Sequence, residues 1–187
     1  MGVNVREKSI EEIDEKLHSM NTELNKISYL ESALREAGFS YEVKRFIWGK
    51  LGELYISRKM YERAAKAISN KAGVEISSRD KIESYLLAGE LYAKIGKIED
   101  AEDMFVRASR DGSLEVKEKI KLARKNIYLV CARDLGEKGK RASSVKYYEK
   151  LIKMKLDDVE REEVKNKLIP IYKALGMFRE ARLLEGV

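Results

Sequence analysis

Tyr85-Leu86-Leu87-Ala88-Gly89-Glu90-Leu91-Tyr92 places a glycine among large apolar residues, and Ala101, Phe105 and Ala108 follow it. The same arrangement stands 37 residues earlier as Trp48, Leu51, Gly52 and Tyr55, followed by Ala64 and Ile68. A glycine inside a helix costs ~1 kcal/mol relative to alanine. Two of them at matching places imply that a second helix comes too close to admit a side chain. Ala64 and Ala101 supply the small partner in each case, while Trp48, Tyr55, Tyr85 and Tyr92 fill the flanks. The stretch therefore reads as a helix–turn–helix unit used at least twice.

Starts and stops elsewhere are legible in the same terms. Ser9 with Glu12 forms a capping box, and its helix runs to about Ala37 before Gly38. Ser40 opens a second helix to about Ser57, and Met60 to about Lys71 form a third. Ser78 caps a fourth that closes at Gly96, and a fifth runs to about Arg110 before Asp111-Gly112. Ser113 opens a long sixth that ends at Gly136, and a seventh spans about Lys140 to Lys155. Asp157 with Glu160 caps an eighth that ends at Gly176, and a ninth carries Met177 to about Leu184. No window has the strict alternation of a half-buried strand. Nine helices and no strands are expected.

The pattern W/Y-x2-L/A-G-x2-Y-x8-A-x3-F/I resembles the tetratricopeptide repeat, whose helix pairs stack into a superhelix. The resemblance implies an all-α fold: a TPR-like right-handed superhelix of antiparallel helix pairs. It is a single repeat domain over 1–187, with a long N-terminal helix at 9–37 and pairs at 40–72, 78–111, 113–155 and 157–185. In the fourth pair Tyr172, Leu175-Gly176 and Arg179-Glu180-Ala181 parallel Tyr92, Ile95-Gly96 and Glu99-Asp100-Ala101, with Ile169 in the glycine's place and Pro170 inside the first helix. In the third, Leu135-Gly136 ends the first helix, Leu129 or Val130 stands where glycine should, and Ala142 or Ser143 serves as the small residue.

Charge is uneven along this array. The net charge is +6, yet thirteen Lys or Arg residues between Lys117 and Lys155 face only four acids, so the remainder carries −3. One cysteine, Cys131, excludes an internal disulfide and points to a reducing, cytoplasmic setting. No run approaches the ~20 apolar residues of a membrane span, and the residues from Met1 to Arg6 hold no apolar signal core. Heavy use of Lys, Glu, Ile and Tyr points to a thermophilic source.

The chemistry inventory is thin. His18 is the only histidine, so Ser-His, Cys-His and His-metal sets are missing, and no glycine-rich phosphate loop occurs. No catalytic residue, metal ligand or cofactor is assigned, and no enzyme is expected. In the tetratricopeptide family the first helix of each pair lines a groove that holds a peptide or a partner helix. By that resemblance the lining is Phe46, Gly49, Glu53 and Ile56 from one pair, and Glu83, Leu86, Glu90 and Ala93 from the next. A protein scaffold or adaptor is the leading expectation. Its rival is RNA binding by the basic third pair, a patch that would also suit an acidic protein partner. Lys121, Arg124, Lys125, Lys138, Lys140, Arg141, Lys146 and Lys150 lie near Tyr128, Tyr147 and Tyr148, which could stack on bases.

A third expectation is an architectural, self-assembling spacer. It would join copies through the Ile10–Leu34 stripe of the first helix or through the C-terminal pair. There Met177, Phe178, Ala181, Leu183 and Leu184 are too many apolar residues for a short helix to hide.

Overall fold

The structure is a computed structural model that describes residues 5–35, 38–110 and 112–186. These residues are all-helical, with ten α-helices and no strand among them. Two compact units divide the chain, Met1–Ser113 and Leu114–Val187. The first holds α1 (Ile10–Ser19), α2 (Glu23–Ala33), α3 (Tyr41–Ser57), α4 (Tyr61–Gly73), α5 (Ser78–Lys94) and α6 (Ile98–Ser109). The second holds α7 (Leu114–Glu137), α8 (Arg141–Ile152), α9 (Asp158–Ala174) and α10 (Phe178–Glu185). Within each unit, from α2 onward, every helix packs on the next in the chain.

One turn is used four times. Lys59, Gly96, Gly139 and Gly176 have φ of 59°, 82°, 71° and 74°. Each donates its N–H three residues back, and the next residue donates five back: Met60 to Tyr55, Lys97 to Tyr92, Lys140 to Leu135, Met177 to Tyr172. This pair of bonds satisfies the last carbonyls of the outgoing helix as the chain reverses. Met60, Lys97, Lys140 and Met177 also share one backbone conformation, φ near −84° and ψ between 57° and 71°, and cap the next helix with no side-chain bond. The turns fix the pairs as α3/α4, α5/α6, α7/α8 and α9/α10, at steps of 37, 43 and 37 residues.

That register places the seams. A β-carbon on Gly52 would stand 2.8 Å from Ile68 Cγ1, and one on Gly89 2.6 Å from Phe105 Cε1. Both glycines therefore sit under a side chain of the second helix of their own pair, as the repeat reading requires. Ala64, Ala101, Ser144 and Ala181 hold the same position in the four second helices, and none is more than 1% exposed. The third pair differs from expectation here. Its small residues are Ala132 and Ser144, both fully buried, rather than Leu129 or Val130 with Ala142 or Ser143. Gly136 is not the terminator: α7 runs on to Glu137 and turns at Gly139. The seam is closed by Ser144 Oγ, which donates to the Ala132 carbonyl at 2.7 Å.

The expected long first helix is two helices, making ten instead of nine. Met20 is extended (φ −89°, ψ 129°), and Thr22 restarts the helix by accepting from the Asn25 N–H at 3.2 Å. The stripe breaks with it: Ile13, Leu17 and Ile27 are buried, but Leu24 is 56% exposed. Residues 36–37 of the expected helix lie outside the described residues. Smaller differences follow the caps. Ser77, not Ser78, accepts from Asp80 to open α5, while the capping boxes at Ser9 and Asp157 form as expected. Pro170 lies inside α9 without ending it.

Tyrosine phenols tie some helices to their predecessors. Tyr55 of α3 donates to the Glu31 carboxylate of α2, and Arg63 reaches the same oxygen at 3.4 Å. Tyr172 of α9 donates to Glu149 of α8 at 2.8 Å. Tyr55 and Tyr172 hold the same repeat position, and each donates to a carboxylate on the helix before its own. Burial pushes both phenols above their ordinary range, and the carboxylate each one meets pushes further in the same direction.

Candidate functional site

In the first unit a groove of about 890 Å³ runs along α3 and the first turns of α5, with the end of α4 beneath it. Phe46, Gly49, Glu53 and Ile56 line it from α3, and Glu83 lines it from α5. The other three expected lining residues lie elsewhere. Ala93 is fully buried, Leu86 is half-buried, and Glu90 is exposed outside the groove. Instead, α5 presents Asp80, Glu83, Ser84 and Leu87, residues at helical spacing on one face. Strict translation by 37 residues missed this, because the groove crosses α5 near its start while following α3 for most of its length.

Apolar surface is left uncovered there. Leu87 is 40% exposed and Ile76, in the segment before α5, is 85% exposed. The groove's cations are engaged. Glu75, with a side chain only 5% exposed, is held by Lys71 at 3.1 Å and Arg45 at 3.7 Å. Lys50 meets Asp14 of α1 at 3.2 Å. A buried carboxylate needs such partners to remain charged. By contrast Glu42, Glu53 and Asp80 line the groove and form no ion pair among the described residues. The groove therefore combines exposed apolar side chains with a negative rim.

The second unit divides the expected basic patch. Lys121, Arg124 and Lys125 line a pocket of about 500 Å³, together with Lys153 and Lys155, which the sequence reading did not include. Lys138, Lys140 and Arg141 sit at the α7–α8 turn, more than ten residues along α7 and so roughly 20 Å away at 1.5 Å per residue. Lys146 and Lys150 project from α8, the first exposed and the second half-buried. The tyrosines expected to stack on bases are core residues: Tyr128, Tyr147 and Tyr148 are 0%, 1% and 3% exposed. Tyr128 and Tyr147 meet edge-on at 5.8 Å between centroids, inside the α7/α8 pair. Aromatic residues at this spacing fill a helix seam, which leaves none of the three rings open to a base; Arg124 of the patch itself lies over Tyr128, 5.9 Å from the ring centroid.

At the other end of the second unit, Ala181 is buried and Met177 and Leu184 are half-buried, while Phe178 is 58% and Leu183 71% exposed. Cys131 is half-buried in α7. Among the described residues no cluster of three or more His, Cys, Asp or Glu could hold a metal ion, and no helix is long and apolar enough to cross a membrane. Comparison with protein-family models gives no match, and a search of curated proteins gives none either.

Proposed function

We propose that this chain is a helical-repeat scaffold of the tetratricopeptide type, a cytoplasmic, non-catalytic protein that holds a peptide or helix of another protein. The observation that carries the reading is the groove along α3 and α5, where Leu87 and Ile76 are exposed between Glu42, Glu53 and Asp80. The fitting occupant is an amphipathic segment whose apolar side chains enter the groove and whose Lys or Arg residues meet the rim. Further support for the repeat type comes from the four equivalent turns and from Gly52 and Gly89 lying under Ile68 and Phe105.

The test is selection of peptides from a random display library on the full chain, followed by titration of the winners by fluorescence anisotropy. The expected winners carry apolar residues flanked by Lys or Arg. They lose about tenfold or more in affinity, roughly 1.4 kcal/mol, on Leu87→Asp or Glu53→Lys. Winners indifferent to both substitutions would overturn the groove as the binding site.

A further inference from the structure

The basic pocket of the second unit has a composition that a merely solvated helix face does not explain. Five cations converge on one concavity: Lys121, Arg124 and Lys125 from α7, and Lys153 and Lys155 from the segment after α8. Like charges gathered on facing walls repel one another, and only part of that repulsion is relieved internally. Lys121 pairs with Glu118 and Lys125 with Glu160. Lys153 and Lys155 are exposed and form no ion pair among the described residues. The pocket also has an apolar element. Leu122, 53% exposed, and half-buried Met154 line it between the charges.

We propose that this pocket docks an acidic peptide segment that carries an apolar side chain among its carboxylates. Charge complementarity selects the sign, and Leu122 with Met154 selects the class. A phosphate backbone has nothing apolar to place on them. Nucleic acid would also want exposed rings, and the tyrosines of α7 and α8 are buried in the seam. A peptide can space its carboxylates around Glu118 and set a leucine or phenylalanine between Lys121 and Lys153. The pocket is separate in residues and opposite in sign from the groove of the first unit, so each can hold its own partner.

The probe is a fluorescein-labelled peptide with Asp and Glu spaced by Ser around one central Phe, titrated against the full chain by anisotropy. Binding should weaken as salt rises from about 50 to about 200 mM. It should fall by about tenfold or more on Lys153→Glu with Lys155→Glu, two exposed positions outside any helix. Leu122→Ser, or replacement of the probe's Phe by Gly, should cost about threefold. Lys138→Glu with Lys140→Glu, at the far end of α7, should leave affinity within about twofold, with circular dichroism confirming that all variants fold. Equal losses from both double variants would show diffuse attraction and overturn the pocket. So would tighter binding of an oligothymidylate sensitive to the same residues, or no binding of the peptide at all. Failure here leaves the groove reading standing, because Leu87 and Glu53 belong to the other unit.

Discussion

Phe105 lies so close over Gly89 that a β-carbon there would come within 2.6 Å of its ring atom Cε1. Gly52 and Ile68 repeat the relationship at 2.8 Å. Gly49, one turn earlier on α3, is different: its added β-carbon would meet only the Lys71 stem, at 3.8 Å. Three glycines of the first unit's first-position helices thus separate into two kinds. Replacing Gly52 or Gly89 by Leu should overpack the seam and cost ~1–3 kcal/mol. Gly49→Ala should stabilise by roughly 0.5–1 kcal/mol, since only the helix preference changes. Urea denaturation of the three variants measures this. Equal effects at all three positions would contradict the seam geometry.

Lys59 stands where the other three turns have glycine, with φ at 59°. A β-carbon in the left-handed region costs roughly 1–2 kcal/mol, and glycine's extra freedom in the unfolded chain takes back part of that. Lys59→Gly should therefore raise stability by roughly 0.5–1 kcal/mol, read as a higher midpoint of thermal unfolding. Lys59→Val should lower it, because a branched side chain tolerates that conformation least.

Much of this fold was legible because its determinants are local. Glycine amid large apolar residues marked the seams at 52 and 89, and Ser9/Glu12 and Asp157/Glu160 marked helix starts that form as expected. What escaped depends on register or on backbone alone. The α3–α4 turn falls between Ser57 and Met60 as expected, but the left-handed backbone of Lys59 is hidden because lysine carries no turn signal. The third pair was misaligned because Gly136 resembles a terminator, whereas the backbone bond from Lys140 to Leu135 puts the turn at Gly139. Once that turn is placed, Ala132 and Ser144 fall into the seam. The Met20–Thr22 break needs only one threonine hydroxyl, a cue too common to outweigh a continuous apolar stripe. In the basic patch, linear proximity joined Lys138 to Lys121, although a straight helix holds them apart.

Ser144 is the one hydroxyl at a seam position that is otherwise alanine, and its bond to the Ala132 carbonyl is fully buried. Ser144→Ala keeps the size of the seam and removes one hydrogen bond. The expected cost is ~1 kcal/mol, measured by urea denaturation. Ser144→Leu should cost ~1–3 kcal/mol by overpacking. A Leu variant as stable as the Ala variant would mean that the α7/α8 seam is not tight.

The tyrosine–carboxylate ties make stability fall at high pH. Tyr55 and Tyr172 are raised above the ordinary phenol value, first by burial and then by Glu31 and Glu149. A group whose folded pKa exceeds its unfolded value of about 10 contributes stability that is fully present below pH 10 and lost as pH rises through the folded pKa. Between about pH 9 and about pH 11 the unfolded chain releases these two protons while the folded chain retains them, so the unfolding free energy should decline. Burial also raises the phenols of Tyr29, Tyr92 and Tyr148, so Tyr172→Phe removes one of five contributors and should make that decline shallower without abolishing it. It should also cost ~1 kcal/mol near neutrality, where the bond to Glu149 is lost. Glu149→Gln separates the causes, because burial of the phenol remains and the negative neighbour does not. Its decline should begin at the same pH and end earlier. Denaturant unfolding of the wild type and both variants across this window supplies the measurement. A wild-type stability that stays flat from pH 9 to 11 would show that neither phenol is held in the way the structure describes.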